Sequence, residues 1–436
     1  MASTKEDEAT TTQEGAGSDP EAIIVTSTVA SQTCPIESLK PETFYSKIRP
    51  LAIFIKIFGT FPLTNVMQRD GRLLVHKWTN LWQLYDLVLC VAVMLVFFYA
   101  NAYLVGQITN PDDKYKLMVW LGATFYLSAA RAMITFLVSH FYAHKYPELF
   151  QAIEEYHFGI GANIIRGRTK ATFQKVGPIV ASLFMLLFLE VTSFMFFSQF
   201  TEIDSKAWPA GVSFMFMYMW KELPMNMFIC ILMHLISRFD EIREKVREVR
   251  LKDEKDASCD LESHRLQYAA LMNIINLLQK CYGLQLAVNM FFLIVESIAE
   301  LFIFIVISEG KNVYLMDLTV YNFCAAGLFI FFLDRIERKS EHVLEELSSI
   351  NLNSKSRLQQ MQVQLFVSQI QARPLQISAS GFCVINNSLI GSLFGVIATY
   401  LIVLLQFAPH VMNTTNTTSS DTTEVSGNSH VYVIQN

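Results

Sequence analysis

Residues 381–407 read GFCVINNSLIGSLFGVIATYLIVLLQF. The run is long and apolar enough to cross a bilayer, which takes about 20 apolar residues as a helix. On a helix of about 3.6 residues per turn, Thr399 and Gln406 face nearly the same way. Extending that face backward collects Ser388, Ser392, Gly395, Thr399, Ile402 and Gln406. A small-and-polar stripe along a membrane helix either packs closely on another helix or faces water. Gly391 and Gly395 form a GxxxG pair that favours packing at one end. Gln406 is harder to place that way, because a polar group inside a membrane needs a partner, a cavity or water.

Working outward, the rest of the chain fits lipid as its solvent. Only 17% of the 436 residues are charged and 52% are hydrophobic, with 34 Phe, whereas charged residues make up about a quarter of a soluble domain. The spacing predicts an all-α polytopic membrane protein with seven transmembrane helices, near 84–106, 117–140, 176–200, 210–236, 283–308, 313–333 and 381–407. Lys221, Glu222 and Pro224 interrupt the fourth. Residues 1–45 are polar and read as a disordered tail. Residues 46–81 hold an apolar run, 51–63, too short to span, which reads as an interfacial or re-entrant helix.

Lys and Arg mark cytoplasmic loops. Segments 1–81, 141–175, 237–282 and 334–379 hold 28 of them, and the alternating segments 107–116, 201–209, 309–312 and 408–436 hold 4. The N-terminus is therefore expected in the cytoplasm and the tail 408–436 outside. That tail carries two glycosylation acceptors, Asn413 and Asn416, each followed by Thr-Thr. Seven spans in this orientation reverse the topology of a G-protein-coupled receptor. The odd count without an inverted repeat argues against a secondary transporter. Neither alternative is eliminated by sequence. None of the seven cysteines falls in an outer loop, so no structural disulfide is expected. No nucleophile–base pair or metal-ligand spacing points to an enzyme, a metal or another cofactor, and nothing points to nucleic acid.

Region 82–236 holds the first four spans. In 237–380, which holds the fifth and sixth, the charged run Arg238 to Lys255 reads as a solvated helix face. Leu271, Ile274, Ile275 and Leu278 form an apolar stripe that carries the fifth helix beyond the membrane. Residues 337–372 read as one helix, with Val343, Leu344, Leu347, Val363, Phe366 and Ile370, ended by Pro374. Such helices need cover, from one another or from neighbouring subunits.

Intramembrane charges are functional candidates by default. Arg131 lies in the second span, Glu190 and Ser193 in the third, and Trp220, Lys221 and Glu222 in the fourth. Glu296 and Glu300 sit one turn apart in the fifth. Asp317 and Tyr321 do so in the sixth, with Asn322 beside them. Arg131 with Glu190, or Lys221 with Glu296, could be structural ion pairs. Taken together, the cluster fits a pocket for a small, partly polar organic ligand.

The motif Thr399-Tyr400, five aliphatic residues, Gln406-Phe407 resembles the C-terminal signature of the insect gustatory receptor family. The reversed seven-helix topology is similar as well. The resemblance implies a taste receptor in the plasma membrane of chemosensory neurons that acts as a ligand-gated, poorly selective cation channel. It implies a homotetramer, or a heteromer with related receptors, held by a cytoplasmic anchor and bathed in membrane lipid. Helix 381–407 would then line a central pore, with Thr399, Ile402, Val403, Gln406 and Phe407 forming conduction path and gate. The tastant would be a sugar or a bitter compound. Sugar-responsive members carry an acidic residue shortly after Thr-Tyr, and here Leu401 follows Tyr400, which departs from that pattern.

Overall fold

The computed structural model describes residues 43–68, 70–76, 81–107, 126–159, 208–251, 257–307 and 313–420. Among them, secondary structure is helical apart from two isolated β-bridges. In chain order the helices are α1 (Phe44–Ile57), α2 (Leu81–Gln107), α3 (Leu127–Phe141), α4 (Tyr146–Gly159), α5 (Trp208–Leu251), α6 (Ala257–Phe302), α7 (Val313–Ser348), α8 (Arg357–Ala372) and α9 (Ser388–Ser420). Stretches of α2, α5, α6, α7 and α9 are long and apolar enough to cross a membrane. The expected span 176–200 lies outside the described residues, as do most of 1–45 and residues 421–436. Of 117–140, the described part begins at 126.

Helices α5, α6 and α7 are 44, 46 and 36 residues long. At about 1.5 Å per residue they are far longer than the ~30 Å apolar slab of a bilayer. Their polar halves gather into one stem. There Arg243 and Arg250 of α5 both reach Glu346 of α7, at 3.2 and 3.3 Å, and Lys339 reaches Asp240 at 2.7 Å. Tyr268 of α6 bonds Ser340 of α7 at 2.7 Å and meets Phe366 of α8 edge-on. The stripe Leu271, Ile274, Ile275 and Leu278 is buried in this stem, as the apolar spacing on α6 requires.

Four boundaries differ from the sequence reading. Pro224 does not interrupt its helix: α5 runs through it. A proline costs one backbone bond and a clash with the carbonyl four residues back, and tertiary packing compensates for this in buried helices. Residues 337–372 are two helices, because the chain turns at 349–356 and Ser356 with Gln359 builds a capping box that starts α8. The last helix begins at Ser388, since residues 377–385 form a tight hairpin in which Ala379 N–H donates to Cys383 and Ile385 N–H to Ile377. It also continues past the expected end at Phe407 to Ser420.

Helix α1 is short and amphipathic, beginning before the apolar run 51–63 and ending inside it. Its N-terminus is held by Glu154 of α4, whose buried carboxylate accepts the Tyr45 N–H at 2.7 Å. Its other end is latched to α2 by a buried Lys56–Asp86 pair at 3.2 Å. Burial raises the Glu154 carboxyl above the usual carboxylate range. Glu154→Ala leaves that N–H unsatisfied in the interior. The expected loss is about 1–3 kcal/mol, read as a lower melting temperature of the detergent-solubilised protein; an unchanged melt refutes the role given to Glu154.

Candidate functional site

Two places carry the polar chemistry of the membrane region. The first lies where α3, α5, α6 and α7 meet. Arg131 of α3 is buried and its Nη1 donates to Glu296 Oε2 at 2.7 Å, while its Nε donates to Asn289 Oδ1 at 3.0 Å. Lys221 of α5 sits 3.9 Å from the same Glu296 oxygen and 3.9 Å from Glu222. Its ammonium also lies 4.1 Å over the Tyr218 ring. Glu296 thus answers two cations through one oxygen.

One turn along α6, Glu300 accepts from Thr319 Oγ1 at 3.0 Å and from Asn322 Nδ2 at 3.1 and 3.3 Å. These donors are neutral and come from α7. The carboxylates therefore split into two settings: Glu296 is matched by cations, Glu300 by a hydroxyl and an amide. Both are almost completely buried, so each bond counts for more than it would in water.

Of the residues singled out by sequence, Glu296, Glu300, Lys221, Arg131 and Asn322 come together here. Glu222 and Tyr321 are half-buried nearby in sequence on α5 and α7. Asp317 lies one turn before Tyr321 on α7. Glu190 and Ser193 lie outside the described residues; Arg131 takes Glu296. Trp220 is fully buried, and its indole N–H donates to the Phe58 carbonyl at 2.7 Å. With Phe136 5.1 Å away, it tethers α5 to the turn after α1. Asn289, Thr319 and Asp86 went unnoticed in the sequence. Asn289 was findable, because it lies two turns before Glu296 on one helix face.

The second place is α9. Among its described side chains Leu393 and Ile397 are buried, in register with half-buried Leu389, Leu401 and Leu405, and the helix packs on α6. The small-and-polar face is open: Ser388, Gly391, Ser392, Gly395, Thr399, Ile402 and Gln406 are all exposed in the single chain. A methyl group added at Gly391 or Gly395 would meet nothing within 4 Å, so the GxxxG pair packs on no described helix of its own subunit. Ser392 and Thr399 return their hydroxyls to the Ser388 and Gly395 carbonyls, at 3.4 and 2.7 Å. Phe407 is 62% exposed.

Residues 48–409 match the family described as 7tm chemosensory receptor. The chain belongs to this family. A 137-residue stretch is 31% identical to Gustatory and odorant receptor 24 of Anopheles gambiae, covering 29% of this chain and 28% of that protein. The match to this curated relative thus spans under a third of its length. The insect olfactory receptor OR5 of Machilis hrabei, in complex with eugenol, superposes with a TM-score of 0.57 at 17% identity, over 82% of this chain and 97% of that one. A second structure of that receptor gives 0.57 at 15% identity, with the same coverage. At such identity the likeness is one of fold, and it extends over nearly the whole of OR5. This chemosensory receptor therefore shares the all-helical membrane architecture read from its sequence.

Proposed function

We propose that this chemosensory receptor is a ligand-gated, poorly selective cation channel with a role in taste. Four copies, or copies mixed with related receptors, surround a pore lined by α9. The observation that carries the reading is the open polar face of α9. A helix with most of its span uncovered, and with hydroxyls, glycines and an amide on the uncovered side, is built to meet water or its own copies rather than lipid alone. Gln406 and Phe407 sit at the end of that face. An amide ring can replace part of an ion's hydration shell, and an aromatic ring can close by dewetting. Thr399, Ile402 and Val403 continue the path inward.

The ligand site is the Arg131–Glu296 and Glu300–Asn322 region, with Trp220, Glu222, Asp317 and Tyr321 around it and Glu190 and Ser193 contributed by the third span. The two cations are already matched by carboxylates, so a neutral molecule with hydroxyl groups fits better than an anion. The fold relative OR5 was solved in complex with eugenol, and a taste role extends the name of the Anopheles relative. The charge asymmetry of the loops supports a cytoplasmic N-terminus and stem, with Asn413 and Asn416 available for glycosylation outside the plasma membrane.

The test is electrical. Gln406→Ala and Phe407→Ala are expected to change basal current or relative cation permeability several-fold while surface abundance stays at the wild-type level. Currents unchanged in both variants would remove α9 from the conduction path.

A further inference from the structure

The contact between α3 and α6 contains a second polar feature, which runs on from the charged cluster. On α3, Arg131, Thr135 and Ser139 are spaced four residues apart and share a face. On α6, Tyr282, Gln285, Asn289 and Glu296, at intervals of three, four and seven, also share a face. The two helices pack against each other. At one end the stripes are joined by the Arg131 bonds to Asn289 and Glu296. At the other, the Tyr146 and Tyr282 rings meet edge-on with centroids 5.3 Å apart.

Between these ends the bonding stops. Thr135 Oγ1 and both polar atoms of the Gln285 side chain have no hydrogen-bond partner among the described residues, although both residues are fully buried. Glu296 Oε1 and the Ser297 hydroxyl, further along α6, are in the same state. Their neighbours are not short of bonds: the Asn289 amide donates to the Gln285 carbonyl at 2.9 Å, and the Ser139 hydroxyl to the Thr135 carbonyl at 2.9 Å. An amide buried without partners is costly. Such a cost, repeated at two facing positions, is normally removed by buried water, which makes about three hydrogen bonds to groups of this kind.

We infer that bound water occupies the seam between α3 and α6, held by Thr135 and Gln285, and connects the Arg131–Glu296 pair to the Tyr146–Tyr282 pair. The site takes water because its free groups are a hydroxyl and an amide, offering donors and acceptors but no net charge. It makes the α3–α6 contact a water-mediated joint rather than a dry ridge-and-groove fit. Water bonds can be exchanged one at a time, so the two helices can shift against each other without stranding a buried polar group.

Radiolytic hydroxyl labelling of the full-length protein in lipid nanodiscs tests this, because radicals formed from bound water modify the adjacent side chain. Tyr282 and Tyr268 are on the same helix and equally buried, at 1% exposure each. Tyr282 is expected to label several-fold faster than Tyr268, and Gln285→Leu to bring it down to the Tyr268 rate. Thr135→Val, the smaller change, is expected to reduce it in the same direction and serves if Gln285→Leu does not fold. Equal rates for the two tyrosines in the wild type overturn the inference, and mean that a protein group fills the seam. So does a fast Tyr282 that neither folded variant slows. The labelling needs neither ligand nor current, so its outcome is independent of the channel reading.

Discussion

Replacing Arg131 by Met is expected to remove most of the folded receptor from the cell surface, and adding Glu296→Met to restore a large part of it. Both effects follow from where the pair sits. Arg131 and Glu296 are buried at 2.7 Å, and each is on a different helix of the central contact. Removing one member of a buried pair leaves an uncompensated charge and costs about 3–5 kcal/mol, whereas replacing both with apolar groups is often close to neutral. Lys221, 3.9 Å from the same oxygen, offers Glu296 partial compensation, so the single-variant loss is expected toward the lower part of that range. Against a total stability of about 5–15 kcal/mol, that still moves much of the protein out of the folded pool. Surface biotinylation gives the abundance, and melting of the solubilised protein gives the stability. A single variant as stable as wild type shows that the pair is not structural. A double variant no better than the single one shows that Arg131 acts through Asn289 or through a group other than Glu296.

The apolar spans and the long stem helices were legible because they depend on local pattern: runs of about 20 apolar residues, and an i, i+3, i+4 stripe that continues past the membrane. The partner of Arg131 was not. Glu190, Glu222 and Glu296 are all carboxylates within spans, and sequence separation does not say which will face it. The pairing is fixed by the packing of α3 on α6, across 165 positions. The Phe58 carbonyl that Trp220 bonds was hidden for a similar reason. An aromatic beside charges in a span looks like pocket lining, and its partner is a backbone carbonyl, which has no sequence signature. The breaks at 349–356 and 377–387 had local signals that were overridden by helical periodicity. Ser356 and Gln359 have capping-box spacing, and Ser380-Gly381 is a turn dipeptide. The open face of α9 was the opposite case: the polar stripe was visible in the sequence, but only the fold shows that no described helix of the same chain covers it.

Gly283→Val is expected to alter gating while leaving folding and surface abundance near wild type. Gly283 lies on α6 where the 377–385 hairpin docks. A methyl group there would meet Ser380 Oγ at 3.1 Å and Ser380 N at 3.2 Å. The Ser380 backbone has little freedom to give way. Ser380 and Gly381 have φ of 51° and 81°, as in a type I′ turn, and the hairpin is pinned on both sides of them. Gln279 donates to the Gln376 carbonyl at 2.7 Å, and the Asn387 side chain donates to Asp334 of α7 at 2.8 Å. Asn387 directly precedes α9, so a shift of the hairpin is passed to the base of that helix. The same α6 carries Glu296 and Glu300 further along. If the proposed ligand site and pore hold, a rigid helix that bears the site's carboxylates at one level and seats the α9 linker at another is a direct mechanical route between them. Valine at 283 displaces the linker by a few tenths of an ångström or more without adding a charge or opening a cavity, which is why a change in basal current or in ligand dose–response of several-fold is expected rather than loss of protein. Gly327→Val is the control, because a methyl group there meets nothing within 4 Å. If Gly283→Val and Gly327→Val give the same currents at the same surface abundance, the hairpin seat does not couple α6 to α9, and the signal must reach the last helix through its direct packing along Leu393 and Ile397.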